Sequence, residues 1–247
     1  LSAGRDVPAQ DLAKVRAVFK ERPVVHEHAP GREPLEAILE HAGLGYGAIA
    51  VGATDMHVAG RLVSPVIDDL LGVSPLPVVI VRRGPHESTQ GPPVYQRILV
   101  PAIGTDPGRA AQEMAYSVAQ RTGAHVLIAH VVTHRPFDRE ATSPFLRARA
   151  QLDVGPQRAE VAEQVVEEAR AMAERMGVHA ETVIRTGVSA SGEILELVRE
   201  RRVDLLVVAA NLRQLSGRPF LGHGVEELLE KAEATTVVVT APPGWVK

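Results

Sequence analysis

Short apolar runs alternate with helix-length amphipathic segments along most of the chain. In the second half, apolar runs predict strands at 97–101, 125–132, 180–185, 203–208 and 235–240. Between them, apolar positions recur every three or four residues and predict helices at 106–121, 156–176, 189–200 and 225–232. Strands that alternate with helices in this way predict a mostly parallel sheet with helices on both faces. Residues 95–247 are therefore predicted to form one complete, open five-stranded α/β domain.

The first 83 residues follow the same alternation with fewer elements. Apolar runs predict strands at 48–52 and 77–81, and helical spacing predicts helices at 11–22, 34–42 and 62–71. Residues 84–94 concentrate Gly, Pro, Ser and Thr without periodicity and are predicted to be a linker. The chain thus divides into a truncated unit at 1–83, a linker at 84–94 and a complete unit at 95–247. In the complete unit, Asp106 is predicted to cap its helix, with Pro107 at the first helical position.

An internal repeat relates the two units. With a shift of 156 positions, Gly31, Ile38, Leu39, Ile49, Val51 and Ala53 fall on Gly187, Ile194, Leu195, Leu205, Val207 and Ala209. With a shift of 159, Leu62, Val66, Leu70, Val78 and Ile80 fall on Leu221, Val225, Leu229, Val237 and Val239. Duplication followed by divergence in the loops leaves this pattern. We expect the last strand of each copy, 78–81 and 236–239, to pair, since both would otherwise leave sheet edges open.

Composition excludes several classes of function. The 247 residues include no cysteine and carry a formal net charge of -3 at pH 7. Disulfides, thiolate metal sites and cysteine nucleophiles are therefore excluded, and the interspersed charges offer no basic patch for nucleic acid. The longest apolar runs have the length of strands, so we expect no direct membrane insertion and a cytoplasmic location.

The loop after the predicted strand 203–208 carries the most informative polar residues. It is rich in Gly, Ser and Arg and leads into the next predicted helix, where free N–H groups attract anions. We therefore predict an anion or nucleotide site whose candidate residues are Gly104, Thr105, Arg213, Ser216, Arg218, Gly222, His223 and Gly224. The alternative is a solvated loop with an ordinary helix cap.

Other reactive side chains have simpler explanations. Four histidines form two closely spaced pairs: His26, His28, His130 and His134. Neither pair is accompanied by the further ligands that a zinc site needs. Ser189 and Ser191 stand at a predicted helix start, where capping explains them and no nucleophile elbow accompanies them. We predict no catalytic residues, no metal site and no enzymatic activity.

The complete unit resembles the universal stress protein family. The resemblance rests on residues 97–101, 187–195 and 203–210 and on the sequence Phe-Leu-Gly-His-Gly-Val-Glu at 220–226. It covers residues 95–243, and residues 24–82 are more weakly similar. It implies an open five-stranded α/β sheet of the adenine-nucleotide alpha-hydrolase type, dimers formed through the last strand, and either ATP binding or its absence.

Members of that family that bind ATP carry a recognisable set of residues. An Asp follows the first strand, Gly-x-x-Gly follows the fourth, and a Gly before Ser or Thr comes nine residues later. The corresponding residues of this sequence are Ile103, Ala209, Leu212, Gly222 and His223. Ile103 cannot accept a hydrogen bond, and side chains at the glycine positions crowd the phosphate path. The resemblance therefore disfavours ATP or another adenine nucleotide, and we expect no cofactor.

The loops at 101–104, 211–213 and 217–222 resemble more closely the stress-protein domains attached to bacterial cation/proton antiporters. We therefore expect a regulatory or ligand-sensing module tethered to the inner face of the membrane, with a transporter as partner and self-association through the terminal strands. Two other functions stay open at this point: adenine-nucleotide binding and purely structural dimerisation.

Overall fold

Helices and strands alternate throughout the chain wherever its structure is described. The computed structural model describes residues 2–3, 7–18, 23–53, 62–85, 94–133, 156–215 and 217–240. The predictions made for His134, for Ser216 and for most of the linker lie outside these ranges.

The first unit contains four strands and three helices within the described residues. They are β1 (Ser2–Ala3), α1 (Ala9–Val18), β2 (His28–Ala29), α2 (Pro34–Ala42), β3 (Ile49–Gly52), α3 (Pro65–Val73) and β4 (Val78–Arg82). Helix α3 begins with a proline, whose missing N–H costs nothing because the first helical turn has no intrahelical acceptor. The Ser64 Oγ caps this helix by accepting a hydrogen bond from the Ile67 N–H.

The second unit supplies the remaining elements. They are β5 (Arg97–Pro101), α4 (Asp106–Thr122), β6 (His125–Thr133), α5 (Pro156–Arg175), β7 (Ala180–Gly187), α6 (Ala190–Glu200), β8 (Leu205–Ala210), β9 (Arg213–Leu215), β10 (Arg218–Phe220), α7 (His223–Lys231) and β11 (Thr235–Thr240). The cap of α4 is Thr105, whose Oγ1 accepts from the Gly108 N–H. The prediction that Asp106 is the cap was therefore wrong by one residue.

Seven strands form one sheet in the order β3-β4-β11-β8-β5-β6-β7. Five of them come from the second unit and confirm the predicted α/β fold with a mostly parallel sheet. The other two come from the first unit and extend the same sheet at its β11 side. All neighbours run parallel except β4 and β11.

The antiparallel pair of β4 and β11 joins the two units. Val78 lies opposite Thr240, and Ile80 lies opposite Val238. The Thr240 hydroxyl also donates to the Val78 carbonyl at 3.0 Å. The expected pairing of the two last strands is thus confirmed within one chain. Because β8 occupies the other side of β11, the terminal strand offers no free edge for the self-association between chains that the sequence suggested.

Helices cover the two faces of the sheet unequally. The first face packs against α2, α3, α6 and α7, and the second face packs against α4 and α5. Fully buried side chains of these layers include Leu70, Ile80, Leu206 and Leu229 on the first face and Ile98, Val100 and Tyr116 on the second. No helix among the described residues has the length and apolar character needed to cross a membrane.

The strand residues that the sequence comparison matched between the two units lie on opposite faces of the sheet. Val51 was matched to Val207, yet Val51 lies on the first face with Val208, and Val207 lies on the second face. Ile80 likewise shares the first face with Val238, not with the residue after it. A shift of one residue moves every strand side chain to the other face, and strands that are apolar at every position do not reveal their register.

Asp204 links the starts of three neighbouring strands. Its carboxylate accepts hydrogen bonds from the N–H groups of Gln96 at 2.8 Å and Arg97 at 3.0 Å. Its own N–H donates to the Arg97 carbonyl, and its carbonyl accepts from the Thr235 N–H. The side chain therefore aligns β5 with β8 at the amino edge of the sheet.

We expect Asp204→Ala to lower the free energy of unfolding by about 1–2 kcal/mol, because two N–H groups lose a charged acceptor at a partly solvated position. Urea denaturation followed by circular dichroism measures the change. Asp204→Asn keeps one acceptor oxygen and should lose about half as much. If Asp204→Asn lowered the free energy of unfolding as much as Asp204→Ala does, the proposed role of the two hydrogen bonds would be wrong.

Candidate functional site

The carboxyl edge of the sheet has a crevice where the strand order reverses. From β5 the chain continues to β6 and β7 on one side, and then returns to β8 and β11 on the other. β5 and β8 are parallel neighbours, with Ile98 beside Leu205. The loops after β5 and β8 therefore leave the sheet next to each other, at the point where open α/β sheets generally bind ligands.

Helix α7 begins at this edge without a side-chain cap. Gly222 is the N-cap residue with φ 97°, and no side chain accepts from the first helical turn. The first intrahelical bond is donated by the Glu226 N–H to the Gly222 carbonyl at 3.0 Å. By contrast, Ser64, Thr105 and Ser189 cap their helices with hydroxyl groups. The N–H groups at the start of α7 are thus available to an anion.

The predicted loop 212–221 contains a short hairpin. β9 and β10 pair antiparallel, with Arg213 opposite Phe220 and Leu215 opposite Arg218. Since side chains alternate along a strand and opposite residues share a face, Arg213, Arg218 and Phe220 point to one side. Pro219 points to the other side, where its Cγ lies 3.7 Å from the position that a Cβ on Gly72 of α3 would take.

The arginine-bearing side of the hairpin faces the start of α7. The rings of Phe220 and His223 meet edge to face with centroids 4.8 Å apart. Arg213 and Arg218 are exposed, and no salt bridge involves either guanidinium within the described part of the chain. The hairpin therefore places two unneutralised charges on the side that contacts the uncapped helix.

The candidate residues after β5 belong to a different set of contacts. The Thr105 hydroxyl is used as the cap of α4. Gly104 has φ 65°, and a Cβ there would stand 3.2 Å from the Val165 Cγ2 on α5. Gly104 and Thr105 thus share the carboxyl edge with the hairpin but contact α4 and α5, whereas the hairpin contacts α3 and α7.

A chain of hydrogen-bonded polar side chains lies behind the start of α7 and could not be predicted from the sequence. The Ser191 hydroxyl donates to Glu227 Oε2 at 2.6 Å, and Lys231 donates to Glu227 Oε1 at 2.9 Å. These hydrogen bonds, from Ser191 first and Lys231 second, lower the pKa of the Glu227 carboxyl. Ser189 caps α6 as predicted, but Ser191 ties α6 to α7. No spacing rule connects residues 36 positions apart, so only the fold reveals this contact.

A second carboxylate lies near the candidate anion site. Burial raises the pKa of the Glu226 carboxyl, and the negative charge of Asp68 on α3 raises it further. The Leu221 N–H and the charge of His223 act in the opposite direction on this pKa. The ionised form of Glu226 is therefore less favourable in the folded protein than in the unfolded chain.

We expect Glu226→Gln to increase stability at neutral pH and to leave it unchanged in acid. The raised pKa means that the folded state holds this proton more tightly, so stability falls as pH rises through the folded-state pKa. The gain should be at most about 0.5 kcal/mol because the group is largely solvated. Denaturant midpoints of both proteins, measured at several values from about pH 4 to about pH 7, give this difference in stability. A gain that persists undiminished in acid would contradict the assignment, and Glu230→Gln serves as the control on the same helix.

Histidines supply no metal centre in the described part of the chain. Among those residues, no group of three or more His, Asp or Glu side chains is placed to hold an ion. His130 Nδ1–H donates to the Ala102 carbonyl at 2.6 Å, which gives this histidine a structural role at the crevice.

Comparison with known proteins decides the family. The sequence profile of the universal stress protein family matches residues 94–240, more than half of the chain. The chain belongs to the universal stress protein family. Universal stress protein MJ0531 of Methanocaldococcus jannaschii is 26% identical over 170 residues, which cover 66% of this chain and 88% of that protein.

Two solved structures resemble nearly the whole chain. The functionally unknown protein PA1789 of Pseudomonas aeruginosa PAO1 is 15% identical, with a TM-score of 0.59, and the match covers 97% of this chain and 80% of that one. A universal stress protein of Archaeoglobus fulgidus DSM 4304 is 16% identical, with a TM-score of 0.54, and the match covers 95% and 76%. At these identities the likeness concerns the fold alone, including the first unit.

The stress-protein fold shows where the nucleotide pattern has changed. Ile103 is 45% exposed beside the crevice, and its Cγ1 would stand 2.7 Å from a Cβ on Gly108. Ala209 packs on the second face and Leu212 on the first. The positions that would carry an acceptor and two glycines in ATP-binding members are thus filled by apolar side chains, of which Ala209 and Leu212 pack against the core.

Proposed function

We propose that this universal stress protein is a non-enzymatic regulatory module that senses a small phosphate-bearing anion at the carboxyl edge. The uncapped start of α7 beside the arginine face of the hairpin carries this proposal. Free N–H groups and guanidinium groups both favour oxyanions, and Arg can bind two oxygens at once. Gly222 and Gly224 let the ligand approach the backbone closely.

The hairpin connects the proposed anion site to the first unit. β10 packs against α3 through Pro219, while Phe220 contacts His223 at the start of α7. An anion held between the arginines and α7 would fix the hairpin and, through it, α3. The proposed output is a change at the surface of the first unit, and the receiver is a membrane transporter such as a cation/proton antiporter. The receiver rests on the loop resemblance alone.

Adenine-nucleotide binding is the rival function, and the crevice argues for weak affinity. Ile103 removes the acceptor for the ligand, and side chains at Ala209 and Leu212 stand in the phosphate path. Losing two charge-assisted contacts of roughly 1.5–3 kcal/mol each lowers affinity by about two to four orders of magnitude. ATP should therefore bind no more tightly than about 1 mM.

Calorimetric titration of the purified chain with pyrophosphate, ATP, AMP and cyclic AMP tests the proposal. We expect pyrophosphate to bind in the range of about 0.1–1 mM and the nucleotides to bind more weakly, because the adenosine part gains no contacts. Micromolar ATP affinity would make the chain a nucleotide sensor. Absence of binding by all four compounds would leave the purely structural module. The reading frame upstream of Leu1 tests the transporter separately, since apolar spanning segments there would place the module on a membrane protein.

A further inference from the structure

One arginine and two histidines form a row at the amino edge of the sheet, where β5, β6 and β7 begin. Arg97 of β5 lies beside His125 of β6 in the parallel register. The next residue of β6, Val126, lies beside Ala180 of β7, so His179, directly before Ala180, is the neighbour of His125. One guanidinium group and two imidazoles are thus brought together by three neighbouring strands.

All three side chains line a cavity of about 500 Å³, which lies within the range of small-molecule sites. Arg97, His125 and His179 are exposed and form its rim. The wall behind them is formed by buried apolar residues: Ile98, Val126, Leu127 and Val203. The cavity therefore combines a basic rim with an apolar wall.

The remaining two residues of the lining form an ion pair, so their charges cancel. Arg201, the C-cap residue of α6, donates to both carboxylate oxygens of Glu181 on β7, at 2.7 and 3.1 Å. This geometry is the two-oxygen pairing that guanidinium and carboxylate groups favour. The Glu181 carboxylate is therefore already occupied by Arg201 and is not paired with Arg97.

Arg97 supplies a positive charge that the lining does not compensate. Its Nη1 donates a long hydrogen bond of 3.5 Å to the Arg201 carbonyl, and no salt bridge in the part of the chain that the structure describes involves its guanidinium. The nearby Asp204 carboxylate is not part of the lining and accepts from the backbone N–H groups of Gln96 and Arg97. With neutral imidazoles, the lining thus keeps one positive charge, which matches a monoanion.

We propose that this cavity binds a small organic carboxylate with a compact apolar body, such as an aromatic acid. The Arg97 guanidinium can hold both carboxylate oxygens, and each neutral imidazole can donate one N–H to them. The apolar wall buries the body of the molecule. The cavity lies at the amino edge, whereas the hairpin and the start of α7 lie at the carboxyl edge, so this inference is independent of the anion-sensing function.

Benzoate and benzamide form a matched pair of probes, because they share a ring and only benzoate carries a charge. The ring C–H signals of His125 and His179, two of the ten histidines in the chain, report binding at the cavity by NMR. At about pH 7, we expect benzoate to shift both signals saturably with a Kd of about 1–10 mM, and benzamide to bind about tenfold more weakly.

Two substitutions should change benzoate affinity in opposite directions. Arg97→Gln removes the uncompensated charge and should weaken binding by about tenfold. Glu181→Gln frees Arg201 from its carboxylate partner and should strengthen binding by about threefold, a modest gain because these groups are exposed to solvent. Both variants should melt near the temperature of the wild type, since Arg97 and Glu181 lie on the surface.

Two controls separate this cavity from general attraction and from the carboxyl edge. Arg202→Gln removes an equal charge next to Arg201 in the chain but outside the lining, and should change the benzoate Kd by less than about twofold. Arg213→Ala/Arg218→Ala should leave the benzoate Kd unchanged, so the two proposals can fail separately. Equal binding of the two probes, no saturable shift, an unchanged Kd in Arg97→Gln, or weaker binding in Glu181→Gln would overturn the proposal.

Discussion

Replacing Ile80 with alanine is expected to lower the free energy of unfolding by about 2–5 kcal/mol, because the change leaves a cavity in a closely packed core. Ile80 is completely buried in β4, opposite the equally buried Val238 of β11. This pair lies at the centre of the antiparallel junction that carries the first unit. Its loss weakens the packing of α3 as well as the strand pairing.

Urea denaturation followed by far-UV circular dichroism measures this effect. Val73→Ala is the matched control, since Val73 ends α3 and is 57% exposed; it should change stability by less than about 0.5 kcal/mol. A loss below about 1 kcal/mol for Ile80→Ala would mean that the junction repacks around the smaller side chain.

The double variant Arg213→Ala/Arg218→Ala is expected to reduce pyrophosphate affinity by about two to four orders of magnitude, taking each charge-assisted contact as roughly 1.5–3 kcal/mol. Both guanidinium groups project from the hairpin face that contacts the uncapped start of α7. Calorimetry should then detect no pyrophosphate binding at accessible concentrations. Each single variant should lose about one to two orders of magnitude.

A charge-matched control distinguishes this site from general attraction. Arg121→Ala removes one exposed positive charge, as each single variant does, but from the C-terminal end of α4, and it should leave pyrophosphate affinity unchanged. Arg218→Lys keeps the positive charge but loses the planar guanidinium group, which can bind two phosphate oxygens at once. The pyrophosphate affinity of this variant should therefore lie between those of the wild type and Arg218→Ala. Unchanged affinity in the double variant would show that any bound anion lies elsewhere.

The alternation of strands and helices could be predicted because each element carries its own periodic signal. The five-stranded arrangement and the start of α7 followed from this signal and from Gly222. The alignment of the strands between the two units could not be predicted, because β3, β4, β8 and β11 are apolar at nearly every position. In such strands, a match that is one residue out of register pairs apolar residues just as well as the correct match.

Features that depend on contacts between distant parts of the chain could not be predicted from the sequence. The hairpin of β9 and β10 is only three residues a side and carries no apolar alternation, so it was predicted as loop. The bond from Ser191 to Glu227 depends on which helices become neighbours. The candidate residues of the anion site could be proposed because helix starts and arginines can be recognised in the sequence. The sequence did not reveal that Gly104 and Thr105 contact α5 and α4 and not the hairpin.

Dilution cannot separate β4 from β11, because both strands belong to one chain. Two independent domains that pair through their last strands dissociate by mass action when their concentration falls below the Kd. A covalent connection replaces that concentration with an effective one, on the order of millimolar for short linkers. The junction therefore stays closed however little protein the cell makes, and a signal that starts at the hairpin must travel as a change of shape within a single molecule.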